Sequence, residues 1–197
     1  MQPKRFEISK WAQENYFKEL VHTLYIPGVN AKKLVVFFHG FMEDHTDMIP
    51  LMDNHSETSF LFIDAPGHGK TQISGFKNRE DVFLTLSNLI QFYQNGRELI
   101  LYGYSMGGRI ALELSALYLK PQLLILESAH FGLENIGQQA TRLNADRKLF
   151  STPELDLKIF FTEWYKNPIF AYYNQSNHYQ SELEKKTHNN IKRWQQY

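Results

Sequence analysis

Residues 99–109 read Leu99-Ile100-Leu101-Tyr102-Gly103-Tyr104-Ser105-Met106-Gly107-Gly108-Arg109: an apolar run of strand formers, then G-x-S-x-G, then the start of a helical pattern. The run predicts a buried strand, and Ile110, Ala111, Leu114 and Leu117 recur behind it at helical spacing. A serine between glycines at such a junction is a nucleophile elbow. The glycines admit close backbone approach where a Cβ would clash, and the turn lifts the Ser105 hydroxyl above the end of the sheet.

Working outward, three further apolar runs have the same character. Leu34-Val35-Val36-Phe37-Phe38 ends in His39-Gly40-Phe41, and Phe60-Leu61-Phe62-Ile63-Asp64 ends in Ala65-Pro66-Gly67-His68-Gly69. Leu123-Leu124-Ile125-Leu126, set off by Pro121, ends in Glu127-Ser128-Ala129-His130. Continuous rather than alternating apolarity is the mark of strands covered on both faces. Between the second run and the elbow strand, Asn78 can cap a helix carrying Val82, Phe83, Leu86, Leu89, Ile90 and Tyr93 on one face. Buried strands alternating with amphipathic helices predict an α/β fold with a mainly parallel sheet.

The two ends are less regular. Ser9 can cap a helix through Leu20 with Trp11, Phe17 and Leu20 inward, but a strand before Pro27-Gly28 fits nearly as well. From Leu133 onward the pattern is successively helical. Ser151-Thr152-Pro153-Glu154 has helix-start chemistry, Trp164-Tyr165-Lys166-Asn167-Pro168 ends that helix, and an amphipathic stretch runs from about Ser176 to Tyr197. The division expected is one domain over residues 1–197, with a core over 1–131 and a helical cap from about 132 to 197.

Composition narrows the functional classes. The 197 residues suffice for one core without disulfide staples, and the chain has no cysteine, which fits a reducing cytoplasm. Lys plus Arg, 21, balance Asp plus Glu, 21, so no overall basic field recruits nucleic acid or an anionic membrane. The N-terminus lacks an apolar signal segment, and no run reaches membrane-spanning length. A soluble, unexported, cytoplasmic protein is expected.

A serine hydroxyl is protonated at neutral pH and needs a histidine, usually oriented by an acid, to act as nucleophile or base. Developing negative charge needs N–H donors. On an elbow these are the amide after the serine, here Met106, and one from the loop after an earlier strand, for which His39-Gly40-Phe41 offers Phe41.

The motifs His39-Gly40-Phe41, Asp64-Ala65-Pro66-Gly67-His68-Gly69 and Gly103 through Arg109 resemble the α/β-hydrolase superfamily. Three later stretches, Glu127 through Leu133, Arg142 through Arg147, and Trp164 through Phe170, are similar to one family within it. That family is 2-succinyl-6-hydroxy-2,4-cyclohexadiene-1-carboxylate synthase of menaquinone biosynthesis. The resemblance implies a lyase on a hydrolase fold. Ser105 would remove a substrate proton, pyruvate would be eliminated from an enolpyruvyl ether, and no metal or cofactor would be needed.

The resemblance also implies site residues. Phe41 and Met106 would supply the oxyanion amides. Arg109 and Arg142 would clamp carboxylates of a polycarboxylate substrate, and Tyr104, Trp164 and Tyr165 would line the pocket. Lys186 stands where the family usually has arginine, bringing charge without a bidentate fork. Phe131 stands where the family commonly has proline. The family's acid and histidine follow later strands, downstream of the cap, and no residue of this sequence aligns with either. His130, at a strand end near the elbow, is the candidate substitute, and Glu127 reads first as a strand-end residue. The last sheet strands are therefore expected to be missing, Leu123–Leu126 to form an apolar edge, and a complementing C-terminal polypeptide to be a candidate partner. A general carboxylic-ester hydrolase and a catalytically dead fragment are the competing readings.

Overall fold

In the computed structural model, six strands among the described residues form one sheet in the order β1-β2-β4-β3-β5-β6. The structure describes residues 12–18, 20–52, 57–133, 135–150, 157–167, 170–177 and 179–187. The strands are β1 (Gln13–Phe17), β2 (Val21–Ile26), β3 (Lys33–Phe38), β4 (Thr58–Ile63), β5 (Glu98–Tyr104) and β6 (Leu123–Glu127). β3 pairs with β4 and β5, and β5 with β6, all parallel, while β1/β2 and β2/β4 are antiparallel. All four apolar runs thus lie parallel in one sheet, as their patterning predicted, in the mixed, mostly parallel sheet of an α/β hydrolase.

Both faces of the central strand are covered. Leu34, Val36 and Phe38 belong to a core shared with Phe83, Leu86, Leu89 and Ile90 of α2 (Arg79–Gln94) and with Ala111 and Leu114 of α3 (Met106–Leu117). Phe37 faces the other way and stacks on Phe62 at 4.8 Å between ring centroids, beside Phe60 and Met48. Each such side chain contributes about 1.5–3 kcal/mol on burial, which keeps the strand ends fixed where the site is built. α2 begins as its sequence predicts: the Asn78 side chain accepts from the Asp81 N–H at 2.9 Å. Asn95 ends it in the left-handed region, at φ 42°.

The N-terminal segment resolves in favour of strand. β1 turns into β2 through Lys18 at φ 50°, and the Leu20 N–H donates to the Phe17 carbonyl at 3.0 Å. The 3-residue spacing of Phe17 and Leu20 mimics a helix stripe, but here they flank a turn. Ser9 and Trp11 lie outside the described residues. A four-residue helix α1 (His45–Met48), not anticipated from sequence, is closed by a reciprocal capping box between Asp44 and Asp47.

The chain forms two compact units, residues 1–131 and 132–197. The second contains α4 (Ile136–Phe150), α5 (Leu157–Trp164) and α6 (Tyr179–Thr187). Phe160, Phe161, Tyr165 and Leu183 are buried there. α5 ends at Trp164, as its sequence predicts. The helix-start signal at Ser151–Glu154, and residues 188–197 of the terminal amphipathic stretch, lie outside the described residues.

Candidate active site

β5 runs straight into α3 with Ser105 alone between them, at φ 50° and ψ −112°. A non-glycine residue here costs on the order of 1–3 kcal/mol and persists only where its surroundings over-determine it. Those surroundings are visible. The Ser105 N–H donates to the Glu127 carbonyl at 2.9 Å, and the Ser105 carbonyl accepts from the Gly108 N–H at 3.1 Å. A Cβ on Gly103 would come within 2.4 Å of the Gly107 carbonyl oxygen, and one on Gly107 within 2.3 Å of that of Phe38. The start of α3 is thereby pressed onto the end of β3, bringing Met106 and the loop that follows β3 to one place.

That loop is itself tightly held. His39 is fully buried; its Nε2 accepts from the Ala65 N–H at 3.0 Å, so the ring is neutral and its Nδ1–H donates to the Gly40 carbonyl at 2.7 Å. Burial pushes His39 below the ordinary histidine range, against smaller raising effects of the Gly40 carbonyl and nearby aspartates. The Glu43 N–H donates to the Gly40 carbonyl at 3.3 Å, closing a turn whose second and third residues are Phe41 and Met42. Met42 is buried at φ 63°, a conformation that favours glycine or asparagine. The Gly40 N–H donates to the Glu43 carboxylate at 2.7 Å. Phe41 packs edge-on against His68, 5.5 Å between centroids.

Beneath the turn lies a cluster that sequence reading treated only as part of a β4 turn. Asp64 is fully buried, with His22 and His45 Nδ1 at 2.7 and 2.8 Å from its two oxygens. The His45 and Lys70 amides add bonds of 2.8 and 2.9 Å. Burial would raise the Asp64 pKa, but the His22 and His45 bonds, the His45 charge and the Lys70 amide hold it well below the carboxylate range. A carboxylate only accepts, so both imidazoles donate through Nδ1. His22, His45 and Asp64 have the spacing of a metal-ligand set. Four N–H donors already fill the carboxylate's acceptor positions, so the cluster reads as a hydrogen-bonded unit. No sequence motif signals it, because its members are 42 and 19 residues apart.

The other sequence-predicted residues fall as follows. Tyr104 ends β5 with its ring against Gly40. Its phenol is pushed up by burial and by Glu43. Arg109 is exposed on the first turn of α3. In the second unit, Arg142 is exposed on α4, where its Nε donates to both Asp146 oxygens at 2.8 and 2.9 Å. It shares an open face of the helix with Gln138, Thr141 and Ala145. Trp164 stacks on Phe160 at 6.0 Å, and Tyr165 is buried among Phe161, Phe170, Tyr173 and Tyr179. Lys186 is buried on α6. His130 is exposed three residues beyond β6, and Glu127 accepts a hydrogen bond from the Tyr102 hydroxyl. Among the described residues the Ser105 hydroxyl has no hydrogen-bond partner.

A strained serine at the end of a parallel strand, with the loop of the neighbouring strand packed against its helix, defines an α/β-hydrolase. The chain belongs to the α/β-hydrolase family described as serine aminopeptidase, S33, whose pattern matches residues 29–191. It is 33% identical over 150 residues to the 2-succinyl-6-hydroxy-2,4-cyclohexadiene-1-carboxylate synthase of Escherichia coli O8 (strain IAI1), covering 71% of this chain and 56% of the relative. It is 32% identical over 155 residues to the synthase of Salmonella heidelberg (strain SL476), covering 77% and 61%. The solved structure of MenH from S. aureus superposes with a TM-score of 0.74 at 26% identity, covering 84% of this chain and 65% of that one. The chain thus spans under two thirds of the length of these relatives.

Proposed function

We propose that this chain carries the serine, oxyanion and cap portions of a 2-succinyl-6-hydroxy-2,4-cyclohexadiene-1-carboxylate synthase. The substrate would be 2-succinyl-5-enolpyruvyl-6-hydroxy-3-cyclohexene-1-carboxylate. The observation that carries the reading is Ser105 at φ 50° followed by Gly107 packed against the Phe38 and His39 carbonyls, which supports a serine working with the His39–Phe41 loop. Similarity to the synthases supports the reaction type. In it, Ser105, relieved of its own proton by a histidine, takes a proton from substrate carbon. The C2–H electron pair is held first as an enolate on the adjacent succinyl carbonyl oxygen and then becomes the C2=C3 bond, the C3=C4 pair moves to C4=C5, and the C5–O bond breaks, its electrons leaving as the enolate of pyruvate, which takes up a proton. The Phe41 and Met106 amides face the oxygen on which charge develops. The resemblance supports substrate-binding roles for Tyr104 and Arg109 in the first unit and, separately, for Arg142, Trp164, Tyr165 and Lys186 in the second, with the arginines as carboxylate partners. This chemistry asks for no metal or cofactor. Among the described residues, no helix is long and apolar enough to cross a membrane.

A second reading, that the chain taken by itself is a slow or dead catalyst, is supported by the Ser105 hydroxyl, which lacks a hydrogen-bond partner among the described residues. A complementing polypeptide bearing an acid and a histidine would then be the functional partner. Pyruvate release from the cyclohexene substrate, run beside a p-nitrophenyl ester panel, separates these readings. Pyruvate release abolished by Ser105→Ala supports the synthase. Robust ester turnover without pyruvate makes the chain a general carboxylic-ester hydrolase.

A further inference from the structure

We propose that Asp64 is a positioning residue, which fixes the 39–45 turn from the end of β4 and so holds the Phe41 N–H beside the elbow. The inference rests on the reading of Phe41 as an oxyanion donor and concerns how that donor is kept in place.

Both ends of the turn hang from consecutive residues of one strand end. At its start, the Ala65 N–H holds the His39 ring, which holds the Gly40 carbonyl. At its far end, Asp64 Oδ1 accepts from both the His45 amide and the His45 ring, each at 2.8 Å. Between these anchors the turn contains Met42 in a left-handed conformation, which a non-glycine residue keeps only under constraint. Asp64 Oδ2 is braced from the opposite side by His22 at 2.7 Å and the Lys70 amide at 2.9 Å. The loop after β4 closes over the carboxylate. A Cβ on Gly69, at φ +52°, would fall 2.2 Å from the Asp64 carboxyl carbon, and Thr71 Oγ1 accepts from the His22 amide at 2.9 Å. A buried charge with four donors and no space beside it is rigid, because moving any one donor leaves an uncompensated anion. Through that anion, β2, β4 and the oxyanion turn behave as one body.

The test uses the 197-residue chain as Asp64→Asn and as His45→Gln, the latter sparing the buried carboxylate should the first variant not fold. Amide hydrogen exchange is read in peptides covering 39–45 and, as internal reference, 33–38 and 98–104. The expected result is exchange about tenfold or more faster in the turn, with the strands within about twofold of the parent chain. Imidazole nitrogen spectra should show His45 Nδ1 protonated and bonded in the parent and shifted in Asp64→Asn, with His39 unchanged. Where the parent releases pyruvate, kcat per folded molecule should fall about tenfold or more with KM nearly unchanged, because a displaced donor weakens only transition-state contact. Turn exchange unchanged in His45→Gln, or strands and turn losing protection together in both variants, overturns the proposal. So does stoichiometric Zn2+ uptake that His22→Ala abolishes, which would make the cluster an ion site. A parent chain releasing no pyruvate even when mixed with a polypeptide supplying the relatives' remaining strands, acid and histidine refutes the reading of the reaction and leaves the exchange data to decide the positioning role.

Discussion

Gly107 lies against the main-chain carbonyl of Phe38 so closely that a Cβ would sit 2.3 Å from its oxygen and 2.6 Å from that of His39. This one contact joins the elbow helix to the end of the central strand. Gly107→Ala forces backbone rather than a flexible side chain to move, and should cost about 2–4 kcal/mol in urea denaturation. A loss under about 0.5 kcal/mol would mean that the elbow tolerates a looser seat.

Tyr165 is an equally direct test for the second unit. The resemblance assigns it to the substrate pocket, yet its ring is buried in a cluster of four aromatics. Tyr165→Ala should destabilise by about 3 kcal/mol, whereas Trp164→Ala, at a half-buried position, should cost clearly less. Equal and small stability losses, with KM raised in both, would instead favour pocket lining over packing.

β6 is an outer strand of the sheet among the described residues, and it exposes Leu123 at 50% and Ile125 at 39%. Open apolar edges recruit further strands. Sedimentation should show concentration-dependent self-association of the chain that Ile125→Lys suppresses. A monodisperse parent at high concentration would contradict this.

The Asp64 cluster gives stability a defined pH dependence. Burial lowers the His45 pKa, but the Asp64 hydrogen bond and charge, helped by Asp44 and opposed by Lys70, outweigh it and leave the ring above the ordinary value. Its contribution is therefore complete below about pH 6.5, the unfolded value, and is lost as pH rises through the folded one. Asp64 is depressed, so its contribution is present above about pH 4 and lost as pH falls. Thermal unfolding should show this contribution greatest between those limits, and His45→Gln should flatten the alkaline decline. An unchanged alkaline limb in that variant would place the titration elsewhere.

Sequence legibility followed the range of the determining interactions. The four parallel strands could be read from their continuous apolar runs, which β3, β4 and β5 owe to cover on both faces while β6 leaves Leu123 and Ile125 exposed, and the α2 start because Asn78 caps a helix three residues away. The elbow was legible because its glycines and serine are contiguous. β1 was ambiguous because Phe17 and Leu20 have the same spacing in a helix and across a tight turn. The Asp64 cluster was not legible, since three separate segments supply it. Neither was the burial of Lys186, which the resemblance placed at a substrate contact.

The central claim is that Ser105 is the proton-abstracting residue of a pyruvate-eliminating lyase. The most direct measurement is pyruvate release from 2-succinyl-5-enolpyruvyl-6-hydroxy-3-cyclohexene-1-carboxylate by the chain, alone and mixed with a polypeptide supplying the relatives' remaining strands, acid and histidine. Release should be several orders of magnitude slower for the chain alone, be restored by the mixture, and vanish in Ser105→Ala. Release that survives Ser105→Ala would contradict the account, and enzyme-like release by the 197-residue chain alone, lost on His130→Ala, would place the activating histidine within it.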